Sequence, residues 1–165
     1  MGVQTAIPIE EYLHTSYDGL DREFRDGEVV ERSMPTTSHG TCQLLLGVFF
    51  MALRERLNLH PISEIRMRLP GNRILIADIG VFRPTRPPQV PDYPPLVAIE
   101  VLSPDDRLSE VRAKLEEYRA WGVPHVWLAD PESRRLYICD DRFKEVDTLP
   151  IPELGIEVRP TDIFD

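Results

Sequence analysis

Two carboxylates stand alone in apolar, strand-like runs. Asp78 lies in Ile74-Leu75-Ile76-Ala77-Asp78-Ile79-Gly80-Val81-Phe82, and Glu100 in Leu96-Val97-Ala98-Ile99-Glu100-Val101-Leu102. Burying a lone carboxylate is costly, so one implies hydrogen bonds or a counter-ion, and two on neighbouring strands suggest a bound cation. Mg2+ suits such a pair because it takes one or two protein carboxylates and keeps waters that a phosphate can replace; Mn2+ is the alternative. The competing reading has each acid end its strand in a salt bridge to an arginine, since ion-pair networks imitate functional sites.

A lysine adds the third chemical element. In the helical run ending at Trp121 the apolar stripe is Leu108, Val111, Leu115 and Tyr118, and Lys114 flanks its buried face. From there the ammonium can extend over the sheet edge toward Glu100, to orient an attacking water or stabilise charge on a phosphorane-like transition state. The competing reading is a lysine whose stem covers apolar surface while its head stays in water.

The elements that must position these groups follow from periodicity and turn chemistry. Ile7 to Leu13 reads as a short helix. Arg22–Arg25 and Glu28–Arg32 flank Asp26-Gly27, a dipeptide suited to a tight hairpin turn. From Ser38, a candidate N-cap, apolar residues recur at helical spacing at Cys42, Leu45, Leu46, Phe49, Phe50, Leu53 and Leu57. Leu44, Val48 and Met51 lie outside this stripe, so the helix is expected to be covered on more than one side, by the sheet and by the hairpin or a partner subunit. Three strand-like runs follow, at 61–69, 74–82 and 96–102, the last after a proline-rich loop. A helix over 106–121 stops at Gly122 with Pro124 beyond. A buried strand at 125–129 and a hairpin over 136–139 and 143–146 complete the order. The expectation is one domain over 1–165: N-terminal helix and hairpin 7–33, core 38–131, C-terminal hairpin 134–165. Its class is α/β, a mixed α+β sheet flanked by helices.

Composition sets limits. With 42% hydrophobic residues the chain can build one sizeable core. The apolar stretch from Leu44 to Leu53 is too short for the roughly 20 residues of a membrane-crossing helix, and the N-terminus shows no basic segment before an apolar run. A cytoplasmic location is expected. Cys42 and Cys139 are too far apart in sequence for a zinc knuckle and read as buried, reduced thiols. A net charge of −9 would repel a polyanion over most of the surface, so nucleic-acid binding requires local basic clustering and a cation at the site.

Asp78, Glu100 in Ala98-Ile99-Glu100-Val101-Leu102-Ser103-Pro104, Lys114 through Tyr118, and Gly122 through Pro131 together resemble the "putative restriction endonuclease" family of the PD-(D/E)XK nuclease superfamily. The likeness runs from about Ile9 to the C-terminus. It implies a restriction-endonuclease-like α-β-β-β-α-β core with hairpin additions at both ends, Mg2+ at Asp78 and Glu100, and hydrolysis of DNA phosphodiesters. One departure stands out: Leu102 occupies the position of the motif lysine, and Lys114 takes that role, as in this family. The same resemblance points to Glu28 as a further metal or water ligand and to His39 in support, against readings as an exposed hairpin charge and a helix-capping histidine. A helix N-terminus would lower the proton affinity of His39. Arg107 could meet a phosphate, or pair with Asp105 or Glu110. The expected activity is a Mg2+-dependent endonuclease acting on DNA, with a homodimer credible. The rivals are a non-catalytic nuclease-fold interaction module and a metal-dependent hydrolase of small phosphorylated molecules.

Overall fold

The computed structural model describes residues 6–19 and 21–165; residues 1–5, read above for a targeting segment, lie outside the described residues. In chain order the elements are α1 (Ile9–His14), β1 (Arg22–Arg25), β2 (Glu28–Glu31), α2 (Thr37–Leu57), β3 (His60–Leu69), β4 (Arg73–Phe82), β5 (Val97–Val101), α3 (Leu108–Trp121), β6 (His125–Asp130), β7 (Arg135–Cys139), β8 (Phe143–Val146), β9 (Leu149–Ile151), β10 (Ile156–Val158) and α4 (Pro160–Ile163). Among the described residues no helix is long and apolar enough to cross a membrane.

The mixed α/β architecture is the expected one. An eight-stranded sheet runs β2-β1-β4-β5-β6-β7-β8, with β3 paired along the other side of β4. Among the described residues only β5 and β6 are parallel, and α3 makes the crossover between them. At the first hairpin Asp26 (φ 52°) and Gly27 (φ 93°) both take the left-handed backbone that a tight two-residue turn requires. One layer packs α2 on the sheet through Cys42, Leu46 and Phe50 against Ile79, Ile99 and Trp127. The other packs α3 through Leu115 and Tyr118 against Ala77, Ala98 and Leu128.

Three expectations need correction. The N-cap of α2 is Thr36, whose hydroxyl accepts the His39 amide, and Ser38 already lies inside the helix. The hairpin does not cover Leu44, Val48 and Met51, which are 67%, 57% and 45% exposed, so of the two expected covers a partner subunit is the one that remains. Beyond the β7–β8 hairpin, the C-terminal segment adds a separate β9–β10 pair and the short α4, whose Ile163 joins the core under α2.

What positions the site is a fork in the sheet. On its open side β4 pairs with β1 only at Ile74 and Arg73, and with β5 only from Ile79 to Val81. Between these two contacts the backbone of β4 faces a gap, and its polar groups need other partners. At the same place the inward alternation slips. Leu75 and Ala77 face the α3 layer, as does Phe82, while Ile79 and Val81 face α2. On β3 the slip coincides with Glu64, whose backbone is left-handed (φ 51°). Asp78 sits at this crossing point.

Candidate active site

The fork explains which side chains gather here. Ile76, in the middle of the gap, has no ladder partner on that side. Its N–H donates to Glu23 Oε1 at 3.1 Å, and its carbonyl accepts from Lys114 Nζ at 2.7 Å. Where β4 and β5 part, the Val101 N–H donates to Asp78 Oδ2 at 2.7 Å. The β4–β5 register pairs Ile79 with Ile99, so its continuation sets Asp78 opposite Glu100. The backbone groups freed by the fork are therefore satisfied by the charged side chains at its mouth.

Glu100 and Lys114 form the buried centre. The Lys114 ammonium donates to Glu100 Oε2 at 3.0 Å, lies 2.6 Å from Glu23 Oε1, and also bonds the Ile76 carbonyl, so its three donors are all engaged. The second oxygen of Glu100 accepts from the Tyr118 hydroxyl at 2.9 Å. Burial, and after it the carboxylates of Asp78 and Glu23, push the Glu100 pKa up to about 8 despite Lys114. Burial alone would lower the Lys114 pKa, but Glu100 and Glu23 outweigh it and hold it above the usual value. Glu23 is likewise buried, yet Lys114 and the Ile76 amide keep it below the ordinary carboxylate range.

Asp78 is only 2% exposed and fully partnered. Its Oδ1 accepts from Arg32 Nη2 at 2.5 Å, and its Oδ2 lies 3.4 Å from His39 Nε2 besides taking the Val101 amide. Arg32 reaches Glu64 with its other arm. Burial would raise the Asp78 pKa; the His39 hydrogen bond and Arg32 together bring it below the usual value. For His39 the expected lowering is reversed. Burial acts that way, but the Asp78 carboxylate outweighs it and the imidazole pKa is raised. Its Nδ1 is buried and has no hydrogen-bond partner among the described residues.

Of the five residues singled out from the sequence, Asp78, Glu100, Lys114 and His39 line one cavity of about 400 Å³. Glu28 does not. It shares a face of β2 with Val30, which lines the cavity, but sits one rung (about 7 Å) nearer the hairpin turn, where it is exposed. Two other hairpin acids line the cavity, the exposed Glu31 and the buried Glu23; sequence reasoning missed Glu23, the one bonded to Lys114. Its available signal was the alternation Arg22-Glu23-Phe24-Arg25: with Phe24 fully buried on one face, Glu23 must point to the other. Arg107 caps α3 at the surface, 3.6 Å from Glu110.

The arrangement offers hard oxygen donors in an excess of negative charge. The cavity wall carries Glu23, Glu31, Asp78, Glu100, Asp106 and Glu110 against Arg25, Arg32 and Lys114. Six carboxylates thus face three fixed cations, an excess of negative charge that a divalent ion would suit. Among the described residues no three His, Cys, Asp or Glu side chains converge to hold a metal. Asp78 and Glu100, which the β4–β5 register sets opposite each other, are the carboxylates that could hold an ion here; a pair of that kind would suit an ion that takes two carboxylates and otherwise keeps its waters.

Comparison with known proteins bears on the fold and the family. The structure is similar to the crystal structure of "a putative nuclease belonging to DUF820" from Anabaena variabilis, with a TM-score of 0.84 at 20% sequence identity, covering 96% of this chain and 97% of that one. At that identity the likeness establishes a shared fold. The chain matches none of the curated proteins. A family model does match, over residues 9–164, and nearly the whole described chain lies within it: this protein belongs to the family described as "Putative restriction endonuclease" (Uma2).

Proposed function

We propose that the protein is a Mg2+-dependent endonuclease that hydrolyses DNA phosphodiesters at the cavity of Asp78, Glu100 and Lys114. The observation that carries this reading is the convergence, at a fork in the sheet, of two buried carboxylates from neighbouring strands with a buried ammonium 3.0 Å from one of them. A divalent ion held by Asp78 and Glu100 would supply charge neutralisation at the phosphate and a bound water of lowered pKa. Lys114 holds positive charge next to Glu100, where it can stabilise the charge that develops on the phosphoryl oxygens. Glu23 and the Ile76 carbonyl fix the ammonium, Tyr118 fixes the Glu100 carboxylate, and His39 with the Val101 amide fixes Asp78. Such fixed dipoles need no reorganisation during the reaction.

The test is cleavage of supercoiled plasmid by purified protein with Mg2+ or Mn2+ against EDTA. Cleavage is expected in metal alone, with loss of at least about a hundredfold in D78A and K114A, the size of one positioned charge in a dry site. Unchanged cleavage by D78A would sink the assignment.

A non-catalytic interaction module is the second reading. It is favoured by the internal pairing of Asp78 with Arg32 and of Lys114 with Glu23, and by the acids Glu31, Asp106 and Glu110 around the cavity, which repel a DNA backbone. Calorimetric titration with Mn2+ separates the two, because a pure docking module needs no ion at Asp78.

We also propose that two copies meet through α2. Leu44 and Met51 lie equally far either side of Gly47-Val48 along the helix. An antiparallel two-fold contact would set Leu44 of each copy against Met51 of the other, and Val48 against Gly47. The flanking groove of about 480 Å³, with Pro61 and Ile62 on its far wall, carries no charged side chain. Two copies of an acidic chain can thus meet there without like charges in contact. The free, buried thiols of Cys42 and Cys139 accord with a reducing compartment such as the cytoplasm.

A further inference from the structure

Arg32, like Arg25, is a cation of the site that the reaction scheme above leaves without a task, and of the two it is Arg32 that pairs with Asp78. Its guanidinium spans two acids on different strands: one arm is on Asp78 Oδ1 at 2.5 Å, and the other is on Glu64. The two oxygens of Asp78 are not equivalent. Oδ2 is tied to the fold by the Val101 amide and His39, whereas Oδ1 has Arg32 as its partner. Oδ1 is therefore the oxygen that a metal ion can claim without breaking the sheet edge, and Arg32 stands where that ion would approach.

Glu64 gives the displaced arginine somewhere to go. It is held from outside the cavity by Gln43, whose amide donates to Glu64 Oε1 at 2.6 Å and to the Asp78 carbonyl at 3.0 Å. A second cavity, of about 290 Å³, lies on this side, lined by Asp21, Ser33, Pro35, His39 and Glu64. Arg32 lines both cavities, as do Ser33 and His39. On this side Glu64, already bonded to Arg32, and Asp21 line the same cavity as Arg32 and offer carboxylates to a guanidinium that has left Asp78.

We propose that Arg32 is an internal counter-cation which a divalent ion must displace from Asp78, so that it sets how tightly the ion binds; this rests on the metal-dependent reading of the same site. In the metal-free protein Arg32 neutralises Asp78 and keeps the buried carboxylate from being left unpaired. On ion binding the doubly charged ion takes over Asp78, and mutual repulsion drives the guanidinium to its Glu64 anchor. The arginine thereby competes with weakly held or scarce ions.

The test is Mn2+ affinity, measured by calorimetry and by the electron paramagnetic resonance of free Mn2+, in wild type, R32Q and the surface control R107Q at about 0.15 M salt, where distant exposed charges are screened. R32Q is expected to bind Mn2+ at least tenfold more tightly than wild type, and R107Q to bind as wild type does. A residue with only a structural role would not tighten binding when removed. Equal or weaker binding by R32Q would overturn the proposal while leaving the metal site standing, and tightening of the same size in R107Q would overturn it as a bulk charge effect. If neither wild type nor R32Q binds Mn2+, the metal-dependent reading fails and this proposal with it. Should R32Q not fold without metal, R32K keeps the charge but loses the two-armed bridge, and is expected to tighten Mn2+ binding severalfold; no change in R32K would then overturn the proposal.

Discussion

The metal-free protein should lose stability as pH rises from about 6.5 to 8, and Glu100 should be the main cause. Its pKa of about 8 in the fold stands against an ordinary 4.5, so between those values the folded state holds a proton that the unfolded state has released. Stability contributed by a raised acid is complete below the ordinary value and declines as pH climbs toward the folded one, at about 1.4 kcal/mol per pH unit. Across 1.5 units the loss is about 2 kcal/mol, or about 4–8 °C in Tm for a domain of this size. His39 acts in the same direction: its raised pKa gives stability that is complete below 6.5 and fades as pH passes the folded value. Asp78 and Glu23, both lowered, contribute stability that is complete above the ordinary carboxylate range and stays constant here. Lys114, raised from 10.5, is charged in both states throughout this interval. Urea denaturation in EDTA at half-unit pH steps measures the slope, and E100Q should remove most of it, leaving the His39 share. A wild-type stability that is flat or rising over this interval, or an E100Q variant with an unchanged slope, would refute the reasoning.

Other expectations follow from the same contacts. Y118F leaves Glu100 Oε1 buried without its donor and should cost about 1–3 kcal/mol in chemical denaturation, with plasmid cleavage reduced rather than abolished. E23Q should lower stability by about 2 kcal/mol and reduce cleavage, because Lys114 loses one of its two anions, whereas E28A should leave both measurements at the wild-type value. V48E places a charge at the centre of the exposed α2 stripe and should yield a monomer in sedimentation equilibrium where wild type is dimeric.

The parts of the site that could be read from sequence are those fixed by local pattern. Asp78 and Glu100 stand out because each interrupts an apolar strand, and Lys114 because helical spacing sets it beside Val111 and Tyr118. Pairing then does the rest, since the Ile79–Ile99 register brings the two acids opposite each other. Glu23 was hidden because Arg-Glu-Phe-Arg looks like any hairpin strand with one face in water. Its burial comes from β1 docking onto β4, a contact some fifty residues away in sequence that alternation alone does not reveal. Arg32 was hidden for the same reason: it lies just past β2, and its acids come from β3 and β4. The proton affinity of His39 was misjudged because the helix N-terminus is visible locally, while the Asp78 carboxylate that outweighs it arrives from another layer. The bare face of α2 had a clear apolar signature, but whether chain or partner covers it is decided only by tertiary packing.

In the proposed function Asp78 and Glu100 jointly seat one divalent ion. Counting Mn2+ bound per chain by calorimetry in wild type, D78N and E100Q tests this most directly. One ion per chain in wild type, with binding lost or weakened at least about a hundredfold in both variants, is the expected result. Wild-type binding that survives intact in either variant would place the ion elsewhere and contradict the account.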